Sequence, residues 1–197
     1  MKKTTWIILS VVAVVFLTAL GFAIKQYYHF AVSNFQSMDG ESHSYHVYPN
    51  TPTDSLMTEM LGDYEMASDL AWCLHCRYLK YKEAKPGFYR FASRIANRDL
   101  IRRLQLGEET PIKLSFPQSI RTREQLAGHM GKKLLLDSAE VIQRLNDAEY
   151  LAHFGLKPET AVCLFIPNTY EVYWTMSADQ LFARMYKEYQ RFWNDER

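Results

Sequence analysis

Cys163-Leu-Phe-Ile-Pro-Asn-Thr-Tyr-Glu-Val-Tyr-Trp174 runs straight into Thr175-Met-Ser-Ala-Asp-Gln180. Leu164 to Ile166 reads as a buried strand, stopped by Pro167 because proline cannot donate to a ladder. Asn168 and Thr169 are turn residues whose side chains bond their own backbone. Tyr170, Glu171, Val172, Tyr173 and Trp174 then set one carboxylate among aromatic and apolar neighbours. Ser177 and Gln180 have the spacing of a capping box and open a helix. Strand, turn, acid and capped helix predict an α+β scaffold presenting a loop to a ligand. On chemistry alone, a structural turn with a solvated Glu171 outweighs a binding loop.

Downstream, the capped helix carries Leu181, Phe182, Met185, Tyr189, Phe192 and Trp193 on one broad face, expected to pack on the sheet. Asp195 and Glu196 read as a solvated end. Upstream, Ile112, Leu114 and Phe116 alternate with polar residues and predict a half-buried strand. Thr122 with Gln125 and Asp137 with Glu140 predict two capped helices. Leu126 and Met130 face inward on the first, Val141, Ile142 and Leu145 on the second. A short helix over residues 148–154 ends at Gly155. Glu108, Glu109 and Thr110 before Pro111 mark a boundary. Before it, a helix over residues 97–106 carries Leu100, Ile101 and Leu104, with Gly107 as C-cap.

Tyr45-His-Val-Tyr48 reads as a strand ended by Pro49. Thr53 caps a helix with Leu56, Met57, Met60 and Leu61, and Gly62 lies beyond its end. A second helix over about residues 67–80 puts Leu70, Ala71, Leu74, Tyr78 and Tyr81 on one face. Lys85-Pro-Gly87 is a turn and Phe88-Tyr-Arg-Phe91 a short strand. Strand, helix, helix, strand is the layout of a LysM-type module; a generic α+β module fits equally well. Residues 34–44 are polar and read as a linker.

At the other end, residues 6–24 run apolar for about nineteen residues, long enough at about 1.5 Å per residue to cross a bilayer's hydrocarbon core. Gly21-Phe-Ala23 offers a signal-peptidase site as the alternative, but cleaved signals have shorter apolar regions, so length favours an anchor. Lys2 and Lys3 precede the span and Lys25 follows it, which predicts a cytoplasmic N-terminus. Tyr27 and Tyr28 fit an interfacial aromatic belt.

Of 197 residues, 48% are hydrophobic, enough for a core, and the net charge is +1. No lysine and arginine stripe interleaves with aromatics, so no nucleic acid is expected. Cys73 and Cys76 form a C-x-x-C, but haem attachment needs histidine where Arg77 stands. Structural zinc needs a second ligand pair. All three cysteines therefore read as packed thiols. The six histidines are scattered, with only His43 and His46 close together. The chain has no G-x-S-x-G, H-E-x-x-H or phosphate loop. No metal and no cofactor are expected.

Phe165-Ile-Pro-Asn-Thr-Tyr-Glu-Val-Tyr173 resembles the "LFPDTYEF" signature of the MltG (YceG-like) family, membrane-anchored endolytic murein transglycosylases. Asn168 stands where the family has aspartate. Lys85-Pro-Gly-Phe-Tyr-Arg-Phe91 resembles the family's "K/Q-A-G-T-Y-R-F" element, and Pro117-Gln-Ser-Ile-Arg-Thr122 a degraded "PEGWT" turn. The resemblance implies a tail and transmembrane helix over residues 1–30, a linker over 31–44, a LysM-like βααβ module over 45–110 and the start of an α+β catalytic domain over 111–197. It implies cleavage of peptidoglycan glycan strands to 1,6-anhydromuramyl ends at the outer face of the bacterial cytoplasmic membrane. Implied partners are glycan strands, that membrane and the cell-wall synthesis machinery.

In such chemistry one carboxylic acid protonates the glycosidic oxygen. It then takes the proton of the sugar's own 6-hydroxyl as the anhydro ring closes, so no second carboxylate is needed to activate water, unlike most hydrolases. In the family this glutamate lies in an "A-S-I-V-E-K-E"-like helix, which by resemblance falls beyond Arg197. The catalytic residue is therefore unknown here, and the chain as it stands is expected to be a truncated, inactive form. Asn168, Thr169, Tyr170 and Glu171 carry over as substrate-groove residues only. The alternative is a non-catalytic, membrane-anchored peptidoglycan-binding protein. A third label attached to the family, aminodeoxychorismate lyase, implies a cytosolic pyridoxal phosphate enzyme and fits poorly with a membrane span.

Overall fold

The computed structural model describes residues 2–193; Asp195 and Glu196, and the side chains of Lys2 and Lys3, lie outside the described part. The apolar N-terminal run lacks proline and forms one unbroken helix, α1 (Lys2–Ala31). Its stretch Thr5–Ala31 spans 27 residues, about 40 Å at 1.5 Å per residue. That helix is long and apolar enough to cross a membrane. The architecture behind it is α+β, with small antiparallel sheets, and divides into two compact units, Met1–Glu109 and Thr110–Arg197.

In the first unit, β1 (Phe35–Ser37) is the centre of an antiparallel sheet, flanked by β3 (Tyr64–Met66) and β5 (Arg94–Ile95). β2 (His43–Val47) pairs antiparallel with β4 (Gly87–Phe91), Tyr45 opposite Tyr89. α2 (Thr53–Asp63), α3 (Asp69–Tyr78) and α4 (Asn97–Leu106) complete the unit. The core gathers Phe35, Tyr45, Val47, Leu56, Met60, Tyr64, Tyr89, Phe91, Leu100 and Leu104. Buried tyrosines must place their hydroxyls. Tyr64 lies 3.0 Å from Phe91 O and 2.9 Å from Ala92 O, and Tyr45 donates to Asp63 at 2.7 Å. Gly107 takes the left-handed conformation that ends α4, at φ 75°.

Three expectations for this unit fail. The polar stretch read as a linker contributes β1, because Phe35 inserts fully into the core. α2 starts one residue early: Thr53 is helical, the cap is Pro52 without a side-chain bond, and the helix runs through Gly62. The buried face of α3 is Ala71 and His75, while Leu70, Leu74 and Tyr78 are exposed. Small Ala71 permits close approach, and Asn97 Nδ2 lies 2.7 Å from His75 Nδ1 in a buried contact.

In the second unit, β6 (Ile112–Ser115) and β7 (Thr169–Val172) form an antiparallel ribbon. α5 (Arg123–Lys133), α6 (Ser138–Asn146), α7 (Ala148–Ala152), a 3-10 turn (Pro158–Leu164) and α8 (Ala178–Phe192) make up the rest. Both capping boxes form, at Thr122 with Gln125 and at Ser177 with Gln180. Asp137 caps α6 by accepting from Ala139 N. Leu114, Phe116, Leu126, Met130, Leu145, Phe165 and Phe182 are among the residues that fill the core. On α8, Leu181, Phe182 and Met185 are buried, whereas Phe192 and Trp193 are exposed.

The strand expected at Leu164 to Ile166 is displaced. Pro158 enters at the first position of the 3-10 turn, where its missing N–H costs nothing. Thr160 Oγ1 accepts from Lys157 N and so caps the turn. Leu164 and Phe165 are buried in that non-strand backbone, and the ladder starts only after Pro167, at Thr169.

Candidate functional site

β7 alternates exposed and buried along its four residues, as a half-buried strand must with side chains projecting to opposite faces. Asn168, Thr169 and Glu171 therefore point outward. Tyr170, expected beside them in a groove, points into the core at 7% exposure. Its hydroxyl donates to Ile166 O at 2.9 Å and ties the turn to the strand; burial raises the phenol above its ordinary range. Tyr170 is thus a supporting residue with no face to offer a ligand.

The partner strand adds residues that sequence reading missed. Lys113 lies opposite Glu171, and Ser115 opposite Thr169. Both are exposed, and the hydroxyls of Ser115 and Thr169 meet at 2.6 Å. His129 on α5 places Nε2 2.7 Å from Ser115 O. Phe116 N donates to Asn168 O at 2.9 Å and closes the ribbon at the turn. Asn168 Oδ1 accepts from Thr169 N at 2.8 Å. Tyr173, just past the strand, is 50% exposed. The alternation beginning at Ile112 was the available signal for Lys113 and Ser115, but their pairing with β7 is a long-range fact.

The outer face of the ribbon is thus a strip of hydroxyls, an amide, a lysine and a carboxylate, with an aromatic ring at one end. Such a surface can donate to and accept from a polyol. Next to it, Phe116, Pro117, Ile120, Leu126, Val162, Phe165 and Pro167 line a recess of about 20 Å³, room for about one water molecule and not for a sugar ring. Glu171 is solvent-facing, so of its aromatic neighbours Tyr170 and Trp174 lie on the opposite, buried side and only Tyr173 shares its face. Among the described residues, no aspartate or glutamate is buried. A general acid needs an apolar enclosure to stay protonated near neutral pH, and none of the described carboxylates has one.

Cys73 and Cys163, expected to be packed, are exposed, and Cys76 is half-buried. Burial pushes the Cys76 thiol up to about 12. Among the described residues, no group of three or more histidine, cysteine, aspartate or glutamate side chains is placed to hold a metal ion.

These features define an α+β protein with an N-terminal helix long enough to cross a membrane and an exposed polar ribbon. The chain belongs to the YceG-like family, whose model matches residues 45–197. It is similar in part to a 2.6 Å crystal structure of a YceG-like protein from Listeria monocytogenes, at 19% identity and a TM-score of 0.41. That alignment covers 77% of this chain and 55% of the other, so the chain spans about half the length of that relative. No curated protein matches the sequence.

Proposed function

We propose that the chain works on peptidoglycan at the outer face of the bacterial cytoplasmic membrane, within a protein of the endolytic murein transglycosylase type. α1 is its single-pass anchor, with the N-terminus cytoplasmic. Residues 45–110 act as a LysM-like glycan-binding module, and residues 111–197 form the first part of the catalytic domain. The observation that carries this reading is membership of the YceG-like family over residues 45–197. The whole protein would cut nascent glycan strands to 1,6-anhydromuramyl ends beside the cell-wall synthesis machinery.

Within that activity, the described residues bind and position. Asn168, Thr169 and Glu171, with Lys113 and Ser115, offer donors and acceptors to sugar hydroxyls along one strip. The absence of a buried carboxylate among the described residues favours glycan binding without cleavage for this chain itself.

The test incubates the purified chain with isolated murein and reads both retention on the sacculi and anhydro ends by mass spectrometry. Retention without anhydro product is expected, and Glu171→Gln combined with Thr169→Ala should weaken retention. Loss of the leaving group's proton donor alone removes about 10²–10⁴-fold in rate. Robust anhydro product that Glu171→Gln abolishes would make Glu171 the acid and overturn this division of labour.

A further inference from the structure

α3 carries apolar side chains on two sides. Ala71 and His75 face the core, while Leu70 is 55%, Leu74 43% and Tyr78 75% exposed. Cys73 and Arg77 complete the outward stripe, with the i, i+3, i+4, i+7, i+8 spacing of one helix face. Single exposed leucines need no explanation, but a contiguous apolar stripe beside cations marks a contact surface.

The position of α3 on α1 identifies what that surface meets. The Phe30 ring lies 4.9 Å from the His75 ring and 6.0 Å from the Tyr78 ring, centroid to centroid. Gln26, Tyr27, Phe30, His75 and Tyr78 line one recess of about 270 Å³. Tyr27 is three residues past Ile24, about 4.5 Å along the axis, and Phe30 about 9 Å. The headgroup layer of each leaflet is about 5–7 Å deep beyond the hydrocarbon. Tyr27 thus falls within that layer and Phe30 just past it, so the C-terminal end of α3, packed on Phe30, sits at the outer boundary of the headgroups when residues 6–24 fill the bilayer core.

The charges around this end of α3 suit that level. Arg77, Lys80 and Lys82 are exposed at and just after the end of α3, and Lys25 lies at the start of the same layer on α1. Cations flanking an apolar face favour anionic lipid.

We propose that the outward stripe of α3, formed by Leu70, Cys73, Leu74, Arg77 and Tyr78, rests against the headgroups of the anionic phospholipid bilayer that α1 crosses. This rests on α1 being an anchor, as proposed above. The membrane contact would give the first unit a second point of attachment and fix its height over the lipid surface.

The test uses the full chain with Cys163→Ser. An environment-sensitive fluorophore is placed on Cys73, the remaining exposed thiol, and the protein is reconstituted in vesicles of phosphatidylcholine and phosphatidylglycerol. Flotation after alkaline carbonate washing reports the anchor. Quenching of the probe by a nitroxide carried near the headgroup of a fraction of the lipid reports the stripe. Retained flotation with strong lipid-borne quenching is expected, falling several-fold in Leu70→Glu/Leu74→Glu while flotation is unchanged. Flotation with a probe that stays aqueous would overturn the stripe alone. A probe shielded from water yet untouched by the lipid-borne nitroxide would put protein over the stripe and overturn the lipid assignment. Loss of flotation would overturn the anchor and the stripe together.

Discussion

Asp39 shows how one exposed side chain organises a turn. Its carboxylate accepts from Ser37 Oγ at 2.5 Å and Glu41 N at 2.8 Å, and lies 3.0 Å from His43 Nε2. The Ser37 bond first, then the Glu41 amide and His43, hold its carboxyl well below the usual carboxylate range. A carboxyl depressed in the folded state stabilises it above the unfolded value of about 3.9, and the benefit fades as pH falls through the folded value. Asp39→Asn should therefore lower the urea midpoint at pH 7, and the gap to the parent should narrow steadily below about pH 4. A gap that stays constant on acidification would show that Asp39 acts by shape and not by charge. Residue identity alone did not reveal this cluster, because Ser37, Asp39, His43 and Asp63 converge only once β1 and β2 are in place. The same limit applied at Glu171. Its neighbours in sequence are aromatic, but a strand sends Tyr170 inward and Glu171 outward, so sequence adjacency was the wrong measure of environment.

At the scale of elements, local chemistry was legible and facing was not. The capping boxes at Thr122 and Ser177 and the glycine stop at Gly107 rest on contacts within a few residues, and each forms as read. α4 presents Leu100, Ile101 and Leu104 inward, as its periodicity predicted. α3 has a periodic apolar stripe as well, but the side it buries, Ala71 and His75, is the one that meets α1 and α4, a long-range fact that periodicity cannot weigh. The strand assigned to Leu164 to Ile166 failed for a related reason: a short apolar run reads alike in a strand and in a buried turn. Two substitutions separate the helices. Leu104→Ala empties a fully buried site and should cost about 2–5 kcal/mol. Leu74→Ala, at 43% exposure, should stay within about 0.5 kcal/mol in detergent. Urea midpoints of the two variants check the assignment, and the reverse ranking would turn α3 around.

At the scale of the whole molecule, each compact unit has its own hydrophobic cluster, one around Phe35, Tyr64 and Phe91, the other around Leu114, Met130 and Phe182. Separate cores predict separate melting. Leu145→Ala, at a fully buried position of the second unit, should lower one thermal transition by about 4–8 °C per kcal/mol lost and leave the other in place. Leu104→Ala should do the converse. Differential scanning calorimetry reads both, and a single transition moved equally by either variant would show that the cores melt as one.

The ribbon of the second unit joins Ser115 to Thr169, 54 residues apart. A ribosome working at about 5–20 residues per second leaves β6 without its partner for about 3–11 seconds. Throughout that interval Leu114 and Phe116 have been made and the backbone edge between them is unmatched, a template for any other extended chain nearby. Until β7 arrives, the newborn protein is therefore open to pairing with a second copy of itself.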